Sequence, residues 1–384
     1  MHRRNSWKRV AVVAMAIAVA SVAAGCGSSG STGSSSVSGT SSGGSNGSAD
    51  RSSAAGTSSG GGIAAAGARV KEFAANPPLE VSLLPSVPDT STYAIQVSCA
   101  IPACNPGAMK PAMAALGWRF DEMNYDISKG PSAVQQELAQ AIAAKPDVII
   151  FTPNFQEATF QSQIESGVAD GIKFVDVGGT LTSGYDACIQ CAASLEAGSA
   201  LAADIALADA GGQTDIAVLF DPNIASLQAQ ADGVKAEVAV NGDGSQVLDV
   251  EQSVSATPAD NAARVVSFLQ RNPSVKYVLT AATFQPATAL ESTGLGSQVK
   301  IVGMYPKTES DVASVKNGQV IGYAAGENNA VWWRAADAAA RAVEGVKMDQ
   351  EPTQSLRVMD NSNADTSLLD PADYQDAYKT AWHG

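Results

Sequence analysis

From residue 93 onward, short apolar runs of strand length alternate with longer stretches of helical periodicity. Strands buried on both faces of a parallel sheet read almost continuously apolar, as DVIIFTP and IKFVDVGG do. The predicted strands are 93–100, 118–126, 147–153, 172–179, 214–220, 246–252, 275–282 and 299–305.

The stretches between these strands have apolar residues near i, i+3 and i+4, and several end at a glycine or just before a proline. The predicted helices are 135–144, 160–171, 194–212, 259–273 and 330–345. Alternation of strands and helices is typical of βαβ units with parallel sheets. We therefore expect an α/β fold.

The first 25 residues predict an export signal, because basic residues precede an apolar stretch at 10–24. That stretch is shorter than the ~20 residues that cross a bilayer comfortably. The sequence Ala23-Ala24-Gly25-Cys26 resembles the lipobox of bacterial lipoproteins, which implies cleavage before Cys26 and lipidation of its thiol. A plain secreted protein and an uncleaved anchor are the alternatives. The expected location is the extracytoplasmic face of the cell membrane.

Residues 26–89 are predicted to be the lipidated cysteine and a flexible tether. The segment is dominated by Ser, Gly, Thr and Ala up to residue 62, and such a composition buries too little apolar surface to order itself. The remaining chain is long enough for two lobes of ordinary domain size.

Charge and histidine content restrict the function. The chain has 24 Lys and Arg against 38 Asp and Glu, which argues against nucleic acid as a partner. Its two histidines are His2, in the leader, and His383, next to the C-terminus. A histidine-dependent triad or zinc site is therefore not expected, and neither is a cofactor, because no phosphate-binding glycine motif opens a helix. We expect a protein that is not an enzyme.

Of the five cysteines, those beyond Cys26 are Cys99, Cys104, Cys188 and Cys191. An even number in an exported protein predicts two disulfides, with three possible connectivities. Local pairing is the first expectation, although Cys188 and Cys191 can pair only if the chain turns between them, since i,i+3 positions of a strand lie ~10 Å apart. A four-cysteine zinc site and a redox role for the CIQC sequence are less favoured alternatives, and no metal is expected.

Several local signatures follow one another in a specific order: LGW at the end of a first helix (116–118), KPDVIIFTP, GIKFVDVGG, NPSVKYVLTAAT, and VKIVGMY leading to a helix and NGQVIGYAAGENN. Together they make residues 93–370 resemble the periplasmic sugar-binding proteins of the ribose-binding type, which are the solute receptors of ABC importers. The tail DYQDAYKTAW (373–382) is similar to tails of exported relatives.

The resemblance implies a type 1 periplasmic binding protein, with two Rossmann-like lobes of parallel sheet joined by a three-crossing hinge. The N-lobe would be 90–192 and 327–348, the C-lobe 193–326 and 349–370, and the tail 371–384. Hinge closure would bury a small-molecule solute between the lobes. The implied partners are that solute, an ABC permease and the membrane, with no nucleic acid, and the protein would be a monomer.

Ligands of open α/β sheets bind beyond the carboxyl ends of the strands, and here those ends carry aromatic and small polar residues. The charged groups with which pentose receptors grip sugar hydroxyls are replaced at nearly every matching position. The candidate solute-binding residues are Ser98, Cys99, Thr152, Asn154, Phe155, Gly178, Gly179, Gln228, Gln230, Thr283, Phe284, Tyr305 and Glu327. We expect a pocket less charged than a ribose pocket, with stacking by Phe155, Phe284 and Tyr305.

The favoured function is therefore a lipid-anchored receptor that delivers a small organic solute, sugar-like or less polar, to an ABC importer. One alternative is a receptor of the same fold that senses a ligand and signals to a membrane kinase. A minor alternative is an exported enzyme, for which Asp176 and Glu327 would have to form a catalytic pair.

Overall fold

The structure is a computed structural model that describes residues 62–100, 104, 107–281 and 284–384. The predicted leader, Cys26 and Thr283 lie outside the described residues. Among those described, no helix is both long and apolar enough to cross a membrane. All of the predicted strands are confirmed, each within two residues of its expected bounds.

A five-stranded parallel sheet lies first in the chain, in the order β2-β1-β3-β4-β5. Its strands are β1 (Tyr93–Cys99), β2 (Arg119–Tyr125), β3 (Val148–Phe151), β4 (Lys173–Val177) and β5 (Ala187–Ile189). The helices between them are α2 (Met109–Leu116), α3 (Pro131–Ala143) and α4 (Gln161–Ala169). The strands β3 and β4 are buried almost throughout, as expected of a sheet covered on both faces.

A six-stranded sheet follows, in the order β11-β10-β9-β8-β6-β7, and only its β10–β11 pair is antiparallel. Its strands are β6 (Asp215–Phe220), β7 (Gln246–Glu251), β8 (Val275–Ala281), β9 (Lys300–Met304), β10 (Gly322–Ala325) and β11 (Arg357–Asp360). The associated helices are α5 (Ala192–Ala210), α6 (Ala225–Asn241), α7 (Pro258–Arg271), α8 (Ala287–Ser292) and α9 (Glu309–Lys316).

Three further helices pack on elements that are distant from them in sequence. The helix α10 (Ala330–Val343) packs on β3, β4, β5 and α2, and α11 (Tyr374–His383) packs on α10 and α2. The helix α1 (Gly62–Glu72) packs on α5 and α6. We call the first sheet with α2–α4, α10 and α11 the N-lobe, and the second sheet with α1 and α5–α9 the C-lobe.

The chain passes between the lobes at 190–192, 326–329 and 344–356. Within the described residues it also crosses at 73–92 and at 361–373, because the two terminal helices pack on the lobe opposite to the element next to them. The described residues therefore pass between the lobes five times, whereas the resemblance implies three crossings.

The expectation of a flexible tether through residue 89 is wrong for residues 62–89. Arg69 of α1 forms ion pairs with Asp204 and Glu237, two acids buried between α5 and α6. Ala66 is fully buried against the C-lobe core. The chain after α1 continues along the fold, where the Phe73 carbonyl accepts from the Val358 amide of β11. The GIAAAGARVKE sequence thus provides a packing face that the preceding Ser/Gly tract lacks.

The local disulfide pairing is confirmed for both pairs, Cys99–Cys104 and Cys188–Cys191. The turn that the second pair requires is made at Gln190, which has a φ of 56°. The Cα atoms of Cys188 and Cys191 are consequently 5.7 Å apart, well within disulfide reach.

Candidate functional site

The lobes meet at the carboxyl ends of their strands. The carbonyl oxygen of Asn154, which follows β3, accepts a hydrogen bond from the Ala225 amide at the start of α6 (3.2 Å). Phe155 and Ile127 of the N-lobe each pack against the cores of both lobes. The strand ends that were expected to bind solute therefore face each other.

On the N-lobe side, a hydrogen-bond chain holds the loop after β3. The Asn154 side-chain amide donates to the Tyr125 hydroxyl (2.5 Å), and that hydroxyl donates to the Thr152 carbonyl oxygen (2.5 Å). Burial raises the pKa of Tyr125 well above its usual value, so the hydroxyl stays protonated and remains a donor. The Thr152 hydroxyl is buried and has no partner among the described residues, which leaves it available to a bound molecule.

On the C-lobe side, a cavity of about 390 Å³ lies at the carboxyl ends of β6, β7 and β8. None of the described residues that line it carries a charge. They are Leu219, Gln252, Ser253, Val254, Ala256, Pro258, Asn261, Ala262, Val265, Phe284, Gln285 and Pro286. Of the predicted site residues that the structure describes, only Phe284 is in this lining, and it is 5% exposed.

Gln252 contributes to the cavity wall a polar atom that forms no hydrogen bond within the described part of the chain. Its side chain is 3% exposed; Nε2 donates to the Glu251 carbonyl (3.1 Å), and Oε1 has no partner among the described residues. A buried amide oxygen without a donor costs free energy, so a ligand that donates a hydrogen bond there would recover it.

Buried polar side chains fix the loop that carries Gln252. One carboxylate oxygen of Asp221 accepts from the Val254 amide (2.9 Å). The Asn261 side chain donates to the Ser253 carbonyl (2.8 Å) and accepts from the Ser253 amide (3.1 Å). Sequence reasoning missed Gln252 and Asn261, although Gln252 ends the predicted strand 246–252 and could have been recognised by that position.

Tyr305 occupies the hinge and not the cavity lining, which differs from the stacking role expected of it. Its hydroxyl donates to the carbonyl oxygen of Ser194 (2.9 Å), next to the first crossing. Its ring lies close to two glycines: a Cβ on Gly198 would come within 2.2 Å of the hydroxyl oxygen, and one on Gly326 within 2.8 Å of the ring. The hydroxyl group and the ring of Tyr305 are therefore both engaged in contacts with the protein itself.

Glu327 also braces the hinge. It is 1% exposed, and its carboxylate is held by the guanidinium of Arg334 (Nε to Oε2, 2.8 Å) and by the Ser355 amide (3.0 Å). The second and third crossings are thereby joined, since Glu327 belongs to one and Ser355 to the other. Both carboxylate oxygens of Glu327 are thus engaged by donors of the protein itself.

Other candidates of the N-lobe lie in its interior. Ser98 is fully buried in β1 and donates to the Asn124 side chain (3.3 Å), and Cys99 is used by its disulfide. Gly178 and Gly179 follow β4, where Gly179 packs against two acidic side chains. These four residues are not brought together with Phe284.

The two glutamines of α6 differ from each other. Gln228 donates to Asp232 one turn away (2.8 Å), which is an ordinary contact on a helix surface. Gln230 is 7% exposed and its Oε1 has no partner among the described residues.

Comparison with known proteins agrees with this architecture. The chain is similar to a carbohydrate transporter solute-binding protein from Agrobacterium radiobacter in complex with D-arabinose (TM-score 0.63, 16% identity, covering 74% of this chain and 98% of that one). It is also similar to a glucose-galactose binding protein from Geobacillus stearothermophilus (TM-score 0.62, 19% identity, covering 71% of this chain and 98% of that one). A third similar structure is a 5-methylthioribose transporter solute-binding protein from Thermotoga lettingae (TM-score 0.63, 15% identity, covering 76% of this chain and 93% of that one).

No curated protein sequence matches the chain. The sequence profile described as a periplasmic binding protein domain matches residues 107–347, which is more than half of the chain. The two-lobed fold and the opposed strand ends agree with that match, and the chain belongs to the periplasmic binding protein family.

Proposed function

We propose that this protein is a solute receptor that binds a neutral, sugar-like molecule between its lobes and delivers it to an ABC permease. The observation that carries the proposal is the uncharged cavity at the carboxyl ends of β6, β7 and β8, with the unpartnered Gln252 Oε1 in its wall. A solute that fits it presents an apolar face to Phe284 and Val254 and a hydroxyl donor to Gln252.

The chemistry of the wall restricts the class of solute. A charged ligand would be desolvated without a counter-charge, which is costly, whereas a hydroxyl needs only an acceptor. Two of the structurally similar proteins are described with D-arabinose and 5-methylthioribose, and the second sugar carries an apolar substituent. Sugars with deoxy, methyl or thioether groups are therefore the first compounds to examine.

Thermal unfolding of the protein against a panel of sugars, substituted sugars, polyols, nucleosides and aromatic acids tests this proposal. A ligand at ~1,000 times its Kd adds ~4 kcal/mol to native stability. Binding of a neutral sugar-like compound is the expected result. Binding restricted to charged compounds, or no binding across the panel, would overturn it.

Two variants locate the site once a ligand is known. Phe284→Ala and Gln252→Ala should each weaken binding about tenfold, which corresponds to ~1.4 kcal/mol. Gln228→Ala is the matched control, because it removes a glutamine whose amide already contacts Asp232 on the same lobe. Equal affinities in all three variants would place the solute elsewhere.

We further propose that the receptor is held on the outer face of the membrane by lipid at Cys26. The support is the lipobox-like sequence that ends at this cysteine. Cys26→Ala should release the protein to the medium or leave it unprocessed, as cell fractionation would detect. Membrane retention of a correctly trimmed Cys26→Ala protein would defeat the anchor.

A further inference from the structure

A group of buried sulfur and carboxyl side chains lies in the N-lobe, away from the cavity of the C-lobe. Asp176 of β4 has its Oδ2 3.0 Å from the sulfur of Cys188 and 3.8 Å from that of Cys191. Asp176 is fully buried, and the two cysteines are 1% and 2% exposed. The carboxylate oxygen and both sulfurs lie within 4.8 Å of one another.

A second carboxyl group adjoins Asp176. Glu157 is 2% exposed and is positioned by Thr180, whose amide and hydroxyl each donate to one of its oxygens (2.6 Å). A Cβ on Gly179 would lie 2.0 Å from Glu157 Oε1 and 2.5 Å from Asp176 Oδ2, so the two carboxyl groups share one small space. The glycine is what allows the turn after β4 to close over both.

The disulfide alone does not account for this arrangement. A disulfide sulfur carries no proton, so it donates no hydrogen bond to the Asp176 oxygen beside it. Within the described part of the chain, neither Asp176 nor Glu157 forms an ion pair with a lysine, arginine or histidine. Asp176 Oδ1 and the hydroxyl of the buried Tyr185 have no hydrogen-bond partner there either.

A cation bound between the two carboxyl groups and the two sulfurs would balance their charge once the disulfide is reduced. Two thiolates in a C-x-x-C sequence and two carboxylates are a suitable donor set for tetrahedral Zn²⁺, with Zn–S of ~2.3 Å and Zn–O of ~2.0 Å. The formal charge of such a site equals that of the common four-thiolate zinc sites. The Asp176 oxygen already faces both sulfurs. The two sulfur atoms would have to separate, and Glu157, whose oxygens accept from Thr180, would have to turn towards them.

We propose that the dithiol form of this protein binds one zinc ion through Cys188, Cys191, Asp176 and Glu157, and that the disulfide form is its metal-free state. A dithiol reductant gives two electrons and two protons to the disulfide and itself becomes a disulfide. The two thiols formed then lose their protons to solvent as zinc binds. The N-lobe thereby holds a metal site that opens only on reduction.

The test uses the full chain with Cys26, Cys99 and Cys104 replaced by Ser, so that Cys188 and Cys191 are the remaining cysteines. The protein is incubated with zinc before and after reduction by a phosphine, which takes up a water oxygen as the disulfide gains two protons. Zinc per chain is then measured after gel filtration. We expect one zinc ion per reduced chain and none per oxidised chain.

Variants and spectroscopy separate this site from adventitious binding. Asp176→Asn should abolish zinc retention, and Glu157→Gln, which keeps the shape of the side chain, is the second variant if Asp176→Asn does not fold. Asp186→Asn, on a partly exposed residue of the same lobe that pairs with Lys173, is the matched control. Cobalt(II) in place of zinc should give the visible absorption of a tetrahedral thiolate site. A reduced chain without zinc, or equal zinc on the Asp176→Asn, Glu157→Gln and control proteins, would overturn the proposal.

Discussion

The hydroxyl of Tyr305 lies 2.9 Å from the carbonyl oxygen of Ser194, which joins the end of β9 to the first turn of α5 beside a lobe crossing. The substitution Tyr305→Phe should therefore lower the free energy of unfolding by ~1 kcal/mol, which is the usual net value of one such hydrogen bond. Solute affinity should stay unchanged, because the hydroxyl is engaged by the protein. Urea unfolding and a binding titration measure the two effects. An unchanged free energy of unfolding together with a tenfold loss of solute affinity would instead indicate that the Tyr305 hydroxyl contacts the solute.

The buried ion pair of Glu327 and Arg334 should be costly to break. Its side chains are 0% and 16% exposed, and Glu327→Gln leaves the arginine without its counter-charge. We expect a loss of ~3–5 kcal/mol in the free energy of unfolding. Asp376→Asn, which breaks the exposed pair with Lys379, is the control and should cost less than ~1 kcal/mol. Similar losses for the two variants would contradict the assignment of Glu327 as a hinge brace.

The burial of Asp204 should give the protein a pH-dependent stability. Burial raises the pKa of Asp204 to about 7, with Glu237 adding to the rise and Arg69 opposing it. The folded state then holds a proton that the unfolded chain releases near pH 4, so stability falls as pH rises between about 4 and 7. For this group the slope reaches ~1.4 kcal/mol per pH unit at its steepest.

Thermal unfolding across this pH range tests the prediction. Asp204→Asn should remove that slope, because the group no longer titrates. Asp232→Asn, on the exposed side of α6, should leave the curve of the parent protein unchanged. Identical pH profiles for the parent and Asp204→Asn would show that Asp204 does not titrate in this range.

The C-terminal helix should contribute strongly to stability. The indole rings of Trp333 and Trp382 are stacked with centroids 5.5 Å apart and planes within 1° of parallel, and both residues are 1% exposed. The Trp382 indole also donates to Asp337 (2.9 Å). Trp382→Ala should cost ~3–5 kcal/mol, whereas Tyr374→Ala, at a half-buried position of the same helix, should cost less. Denaturant unfolding distinguishes the two, and equal small losses would mean that α11 packs weakly.

The sequence predicted the long buried strands because a continuous apolar run of strand length is typical of a strand that is buried on both faces of a sheet. It missed β5, β10 and β11 as strands, which have only three or four residues each, too few to show a period. In β11 the pattern is also interrupted by Arg357, a fully buried residue whose guanidinium is satisfied by backbone carbonyls such as that of Leu368. A charged residue in so short a segment predicts an exposed loop, because the sequence does not show the buried carbonyl groups that bind it.

The candidate site was predicted less well than the fold. Residues at strand ends could be placed at the correct edge, and Phe284 does line the cavity. Whether a side chain at that edge turns to the cavity or to the hinge depends on glycines distant in sequence, as Gly198 and Gly326 show for Tyr305. No local pattern carries that information.

The docking of α1 determines how a pull on the chain is carried. Tension applied ahead of Gly62 reaches α1 first, which is held on the C-lobe by the Arg69 ion pairs and the buried Ala66. The load therefore enters α5 and α6 and bypasses β1, although β1 is the first strand of the chain. The C-lobe is therefore the first part of the fold to bear such a pull.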